Sequence, residues 1–373
     1  MPRFYLPTEI ITGNGCLGEL GRAAARYGQR AMLVCGQGFA RRGGLLDRAT
    51  GLLAGQGLAV TIYDQVRGEA DLDTVAQGLE LARAQGCQVF IGLGGGSAID
   101  TAKAIAGLLA LPGAPAEYHA GRAVDGPAQP WIAVPTTAGT GAEVTKNAVL
   151  IDPATAVKQS IRDDAWFARV ALVDPELTLS MPPEVTASTG SDALCQAIEA
   201  YTSIGASPLT DALAMQAIAL IGESLVRAYE HGDDLAARAA MSTGSLLAGM
   251  AMASARLGGV HGMAHPLGSH FGIPHGLVCG LLLPYTVAKY ATVARLLGME
   301  AATAPDEELA RRCVERVRAL LRQVAIPEHL GPFGVRADNL EGIIAESLPA
   351  GSLKANPRPL AAEDVRAILL AAL

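Results

Sequence analysis

His261 and His265 stand four residues apart in Gly258-Gly-Val-His-Gly-Met-Ala-His-Pro266, and His275 follows in Ile273-Pro-His-Gly276. Imidazole binds metals and carries protons near neutral pH, so histidines gathered this way point to a metal centre or to acid–base chemistry. Four of the chain's seven histidines fall between positions 261 and 275. Upstream, Gly190-Ser-Asp-Ala-Leu-Cys-Gln-Ala-Ile-Glu199 puts Asp192 and Gln196 four apart, on one helical face from which both can point at one atom. A carboxylate and imidazoles converging inside a helical domain is how bundles build metal sites. Any one of these histidines could instead cap a helix or fill a gap; Asp192, His261 and His275 together read as ligands.

A second kind of chemistry is written in Ile91-Gly-Leu-Gly-Gly-Gly-Ser-Ala-Ile-Asp-Thr-Ala-Lys103, where glycines close an apolar strand and open a helix. Gly94, Gly95 and Gly96 permit a sharp turn with no Cβ to block a ligand, and the helix from Ser97 points its free N–H groups at whatever sits there, which suits a pyrophosphate. Ser97 is expected to cap that helix and Asp100 to lie in its first turn. A plain strand–helix turn uses the same glycines, and the spacing is neither G-x-G-x-x-G nor a Walker loop. The segment Pro135-Thr-Thr-Ala-Gly-Thr-Gly-Ala-Glu-Val-Thr145 adds hydroxyls among glycines after another strand, a further ligand loop.

These loops need a scaffold. Ala31–Cys35, Ala59–Tyr63, Val89–Gly92, Trp131–Val134 and Val170–Val173 read as strands, with helices over Phe39–Ala54, Leu72–Ala84 and Ser97–Leu109 between the first four. That alternation predicts a doubly wound parallel sheet whose carboxyl edge brings Gly36, Gly94–Ser97 and the segment after Val134 into one crevice. Thr8–Thr12 precedes the alternation and is expected as a separate edge strand. From Pro182-Pro183 onward helical periodicity takes over, in Glu184–Tyr201, Pro208–Tyr229, Asp234–Ala253, Leu277–Leu297, Glu307–Gln323, Ala337–Ser347 and Ala361–Ala372. The double proline makes a seam between an α/β domain, 1–182, and a helical domain, 183–373.

Composition limits the partners. The 29 Lys and Arg against 36 Asp and Glu leave a net charge of −7 with no basic stripe, which argues against nucleic acid. The six cysteines lack C-x-x-C spacing, so neither a zinc knuckle nor a disulfide framework is indicated and a reducing cytoplasm is expected. Met1-Pro-Arg-Phe-Tyr-Leu-Pro7 lacks signal-peptide character, and no run of 18 apolar residues follows, so no membrane is expected.

Taken together, Gly94-Gly-Gly-Ser-Ala-Ile-Asp-Thr-Ala-Lys103, the Pro135–Thr145 loop, Val173-Asp-Pro175, the helix from Asp192, His261-Gly-Met-Ala-His-Pro-Leu-Gly268 with Pro274-His-Gly276, and Asn356-Pro-Arg-Pro-Leu360 resemble the iron-containing (group III) alcohol dehydrogenase family. The match runs over nearly the whole chain, in order. The resemblance implies a dehydroquinate synthase-like architecture, an N-terminal dinucleotide domain and an all-α C-terminal domain, with a cleft where nicotinamide meets a divalent metal, Fe or Zn, in a dimer. It implies that Gly94, Gly95, Gly96 and Ser97 hold pyrophosphate, that Asp100, Thr136, Thr137 and Thr140 line the cofactor, and that Lys158 reaches its ribose. Asp192, His261 and His275 match metal ligands, and His265 matches a proton-relaying histidine near nicotinamide and substrate. Gln196 stands where the family has a histidine. An amide oxygen is the poorer donor, so the ion is expected to be weakly held, replaced or absent.

The implied activity is an NAD(P)-dependent alcohol dehydrogenase or aldehyde reductase. Two alternatives stay open: a metal-free reductase of oxo acids, as in maleylacetate reductases, and a cofactor-binding protein that has lost turnover. After Ala31–Cys35 the chain continues Gly36-Gln-Gly38 with Arg41 and Arg42 nearby, so no carboxylate rejects a 2′-phosphate and NADP is expected to be accepted, along with NAD. The substrate is not legible; Trp166 and Phe271 are candidate pocket side chains.

Overall fold

The computed structural model describes residues 3–38, 43–286 and 306–373. Arg41, Arg42 and the distal part of the helix expected over Leu277–Leu297 lie outside the described residues. The chain divides into two compact units, one formed by Leu6–Thr137 with Ala142–Thr178, the other mainly by Leu179–Leu373 with Ala138–Gly141.

The first unit holds the strands β1 (Glu9–Thr12), β2 (Arg30–Gly36), β3 (Ala59–Val66), β4 (Val89–Gly94), β5 (Trp131–Pro135), β6 (Asn147–Ile151), β7 (Lys158–Arg162) and β8 (Val170–Val173). Its helices are α1 (Leu20–Ala25), α2 (Leu45–Ala54), α3 (Leu72–Gln85), α4 (Gly96–Leu108) and α5 (Pro115–His119). Six strands form one parallel sheet in the order β1-β8-β5-β4-β2-β3. Sequence order reverses between β2 and β4, the switch point where such sheets bind ligands. The expected strands are present, and the early edge strand pairs with β8 at the sheet's margin.

Both faces of the sheet are covered, which is why its strands read as continuous apolar runs rather than alternating ones. Leu33, Ile91, Ile132 and Leu172 pack toward α1 and α2, while α4 lies against the opposite face at Gly92, where an added Cβ would stand 3.1 Å from the Ile99 Cα. The antiparallel pair β6–β7 was not anticipated. Residues 148–151 of β6 form an apolar run, but the partner strand Lys158–Arg162 is mostly polar and the turn carries Pro153 and no glycine, so no tight-turn signal marks the pair as a hairpin.

Lys103 fastens this hairpin to α4. Its fully buried ammonium donates to Asp100 Oδ1 at 2.9 Å, Thr145 Oγ1 at 3.2 Å and the Asn147 carbonyl at 2.7 Å. Nearby, burial raises the Glu143 carboxyl to about 7. A raised carboxyl means that the unfolded chain ionises first: between the reference value of 4.5 and about 7, rising pH lowers stability, and above that the penalty is constant. Glu143→Gln removes this penalty. Its stability relative to the parent should therefore improve by roughly 2–3 kcal/mol from pH 5 to pH 8, measured by urea unfolding; an equal difference at both pH values rules the account out.

The second unit holds α6 (Pro183–Thr202), α7 (Pro208–Glu230), α8 (Leu235–Ala255), α9 (Gly259–Phe271), α10 (His275–Thr286), α11 (Asp306–Gln323), α12 (Leu340–Ser347) and α13 (Ala362–Ala371). Seven of these follow the expected periodicity. The eighth, α9, contains Gly262, Pro266 and Gly268, which dilute a helical pattern. Among the described residues α7 alone has the length and hydropathy to cross a bilayer, and it buries Ala214, Ala217, Ile218, Ile221 and Leu225 among its neighbours.

Candidate functional site

At the carboxyl edge of the sheet three expected segments come together. Cys35 pairs with Leu93 and Gly94 with Pro135, and the Thr136 amide donates to the Gly94 carbonyl at 2.9 Å. Gly36 ends β2 beside them, with a break in register between Val34 and Gly36. Gly94 has φ 153°, and a Cβ there would meet that of Ala98 at 2.8 Å, so this glycine serves the fold. At Gly95 a Cβ would meet only the Thr137 side chain at 3.4 Å, an ordinary contact. Gly95, Gly96 and Ser97 are half-buried, and no side chain caps α4. The first-turn amides thus look out over the turn without a competing side-chain acceptor, a cradle that fits an anion.

Some details differ from expectation. Gly95 is the capping position, so Ser97 falls inside the helix and does not cap it. Asp100 lies beyond the first turn, with both carboxylate oxygens engaged: Lys103 donates to Oδ1 and the Val149 amide to Oδ2 at 3.0 Å. That is a fastening role, because a carboxylate neutralised by a buried ammonium is not presented to a cofactor. Lys158, on β7, donates to Glu69 Oε2 at 2.7 Å. Trp166 is fully buried against Gly107, in the core and not in a pocket, and Phe271 packs on the helical core. Thr140 belongs to the helical unit, where its carbonyl accepts from Gln196 Nε2 at 3.5 Å.

In that helical unit the ligand candidates converge. Asp192 and Gln196 lie on α6, His261 and His265 on α9, and His275 opens α10. His261 Nε2 stands 3.2 Å from Asp192 Oδ1, and His275 Nε2 stands 4.0 Å from the same oxygen. The His265 ring centre is 5.4 Å from that of His275, which is 5.5 Å from that of His261. The approach of α10 to α6 depends on small residues: a Cβ on Gly276 would fall 2.2 Å from the Ser188 carbonyl oxygen, and one on Gly280 2.9 Å from the Ser191 Cβ.

Two residues escaped the sequence reading. Glu199 accepts from the amides of Gly258 at 2.9 Å and Val260 at 2.7 Å, and it lies 2.6 Å from His261 Nδ1. Together with Asn356 Oδ1, which accepts from the Gly259 amide at 3.1 Å, it satisfies the amino end of α9. Its bond to Nδ1 orients the imidazole so that Nε2 faces Asp192, as carboxylates behind ligand histidines do. The second is Cys279, with Sγ 3.7 Å from both His261 Nε2 and His275 Nε2. The signals were present as spacing: Glu199 is seven residues after Asp192, and Cys279 four after His275.

The electrostatics favour a cation here. Burial alone would lower the His261 pKa, but Cys279 and hydrogen bonds with Asp192 and Glu199 outweigh it and hold the imidazolium well above the usual histidine value. Asp192, His261, His275 and Cys279 each offer a donor atom, all within 4.8 Å of one another. Gln196 Oε1 is buried with no hydrogen-bond donor. An orphaned buried acceptor one helical turn after the buried Asp192 carboxylate fits a divalent metal better than a bare hydrogen-bond network.

A model of the iron-containing alcohol dehydrogenase matches residues 7–175, and that of the Fe-containing alcohol dehydrogenase family, C-terminal, matches 186–373. Long-chain-alcohol dehydrogenase 1 of Geobacillus thermodenitrificans is 39% identical, covering 99% of this chain and 96% of its own length. The NAD-dependent methanol dehydrogenase of Bacillus methanolicus is 32% identical over 100% of both chains. A crystal structure of 1,3-propanediol oxidoreductase superposes with a TM-score of 0.96 at 34% identity, covering 100% of each chain.

Proposed function

The chain belongs to the iron-containing alcohol dehydrogenase family, and from that premise we infer that it interconverts a small alcohol and its carbonyl compound with NAD or NADP, using a metal held by Asp192, His261 and His275. The carrying observation is the buried donor cluster, in which Asp192 Oδ1 lies 3.2 Å from His261 Nε2. A bound divalent metal supplies Lewis acidity toward the alcohol oxygen, and a bound nicotinamide supplies or accepts the hydride.

The residues do the rest. Asp192 contributes the anionic donor, Glu199 holds the His261 ring in orientation, and His265, beside His275, holds or passes the alcohol proton. Gly95, Gly96 and Ser97, with Thr136 and Thr137 on the neighbouring loop, bind the pyrophosphate. Gly36-Gln37-Gly38 after β2 carries no carboxylate to repel a 2′-phosphate, which supports acceptance of NADP. The acidic chain, without a basic stripe, acts on small molecules rather than nucleic acid, and the family resemblance supports a dimer.

Chelation tests the metal reading against its metal-free alternative. Protein purified without chelator should contain a transition metal, lose activity on chelation and recover it with Fe²⁺ or Zn²⁺. Gln196→His should retain more metal through purification, because imidazole suits these ions better than an amide. Full activity with no metal detected, unchanged in Gln196→His, would leave the apparent ligands as a hydrogen-bonded remnant.

A further inference from the structure

The metal reading above leaves open what completes the donor set, and this inference rests on that reading. Asp192 Oδ1 and His261 Nε2 are 3.2 Å apart, His261 Nε2 and Cys279 Sγ 3.7 Å, Cys279 Sγ and His275 Nε2 3.7 Å, and His275 Nε2 and Asp192 Oδ1 4.0 Å. Oxygen, nitrogen and sulfur donors set about 2.0–2.3 Å from one ion in a tetrahedron stand roughly 3.3–3.7 Å from one another. Three of these separations lie within about 0.2 Å of that range, the His275–Asp192 pair must close by roughly 0.6 Å, and all four donor atoms lie within 4.8 Å of one another. Cys279 is fully buried and sits one turn after His275 on α10, so the two donors share one helical face. Gly280 lets that face approach α6 closely, its Cβ position lying 2.9 Å from that of Ser191. Cys195 is also close, but its sulfur lies 3.8 Å from His261 Nδ1, the nitrogen that Glu199 occupies, and so on the wrong side of the ring.

We propose that Cys279 is a metal ligand, its thiolate joining Asp192, His261 and His275 as a fourth protein donor, the alcohol oxygen taking a fifth position, and shifting the site's preference toward zinc. A divalent ion displaces the Cys279 thiol proton and the His261 Nε2 proton to solvent as the sulfur–metal and nitrogen–metal bonds form, and nothing is oxidised or reduced. Thiolate favours Zn²⁺ over Fe²⁺ more strongly than carboxylate or amide oxygen does. The thiolate thereby makes up part of the affinity lost with the Gln196 amide, whose carbonyl oxygen is supplementary.

Cobalt(II) reports on this without reference to turnover. Apoprotein prepared by chelation and titrated with Co²⁺ should develop both the visible bands of a low-symmetry cobalt site and a near-ultraviolet thiolate-to-cobalt charge-transfer band. Cys279→Ser and Cys279→Ala, checked for folding by circular dichroism, should keep the visible bands and lose the charge-transfer band; Cys195→Ser should keep both. Metal affinity from chelator competition should fall at least about a hundredfold in the Cys279 variants, the upper end of what losing even an outer partner of a ligand costs. The ratio of Zn²⁺ to Fe²⁺ affinity should fall with it. Visible cobalt bands in the parent without the charge-transfer band, or a charge-transfer band that survives in Cys279→Ser, would overturn the role of Cys279 and leave the metal reading standing. Failure of Co²⁺, Zn²⁺ and Fe²⁺ to bind the parent at all would overturn both.

Discussion

Gly276→Ala is expected to lose metal affinity by at least about a hundredfold and stability by roughly 3 kcal/mol, the top of the range for overpacking a close contact. The new Cβ would lie 2.2 Å from the Ser188 carbonyl oxygen and 2.8 Å from its carbon. These are backbone atoms inside α6, which cannot swing away as a side-chain tip can. Relief therefore requires α10 to move off α6 by about 1 Å, carrying His275 and Cys279 with it, whereas metal–ligand distances tolerate about 0.2 Å. Gly280→Ala is the milder comparison, since its nearest atom is the Ser191 side-chain Cβ at 2.9 Å. Chelator competition and urea unfolding on both variants measure the effect. Parent-like metal affinity in a folded Gly276→Ala protein would show that the approach of α10 to α6 does not build the site.

Gly95→Val should abolish binding of both NADH and NADPH while leaving the fold intact. Backbone amides grip a pyrophosphate only if it can approach to hydrogen-bonding distance, and a branched side chain on the capping residue of α4 occupies that space. The protein itself has room, since a Cβ at Gly95 meets Thr137 atoms only at 3.4 and 3.5 Å and the backbone there has φ −75°. Gly94→Val is the contrasting variant. With φ 153° and Ala98 at 2.8 Å it should destabilise the unit itself. Fluorescence titration with both reduced cofactors, alongside thermal unfolding, separates the two. An unchanged titration in folded Gly95→Val would remove the phosphate loop from Gly95.

Much of this molecule is legible in its amino-acid order, and the boundary is physical. The parallel strands announce themselves as apolar runs because both faces of the sheet are buried, and the turn after β4 is visible because it clusters glycines, of which Gly94 adopts a backbone, φ 153°, that other residues rarely do. Asp192, His261 and His275 could be named together because Asp192 and Gln196 share one helical face and four histidines cluster within fifteen residues, an arrangement with few joint uses. What stayed hidden depends on neighbours distant in sequence. Whether Asp100 faces a cofactor is decided by Lys103 and the β6 amide, which take both its oxygens. The helix α9 forms despite Gly262, Pro266 and Gly268 because Glu199, some sixty residues earlier, and Asn356, nearly a hundred later, satisfy its amino end. Cys279 looked like one of six scattered thiols until the approach of α10 to α6 put its sulfur 3.7 Å from two imidazoles. Residue type and spacing along one helix are local properties that order alone determines. Which face meets which, and how closely, is set by where glycines let backbones touch, and only the tertiary structure decides it.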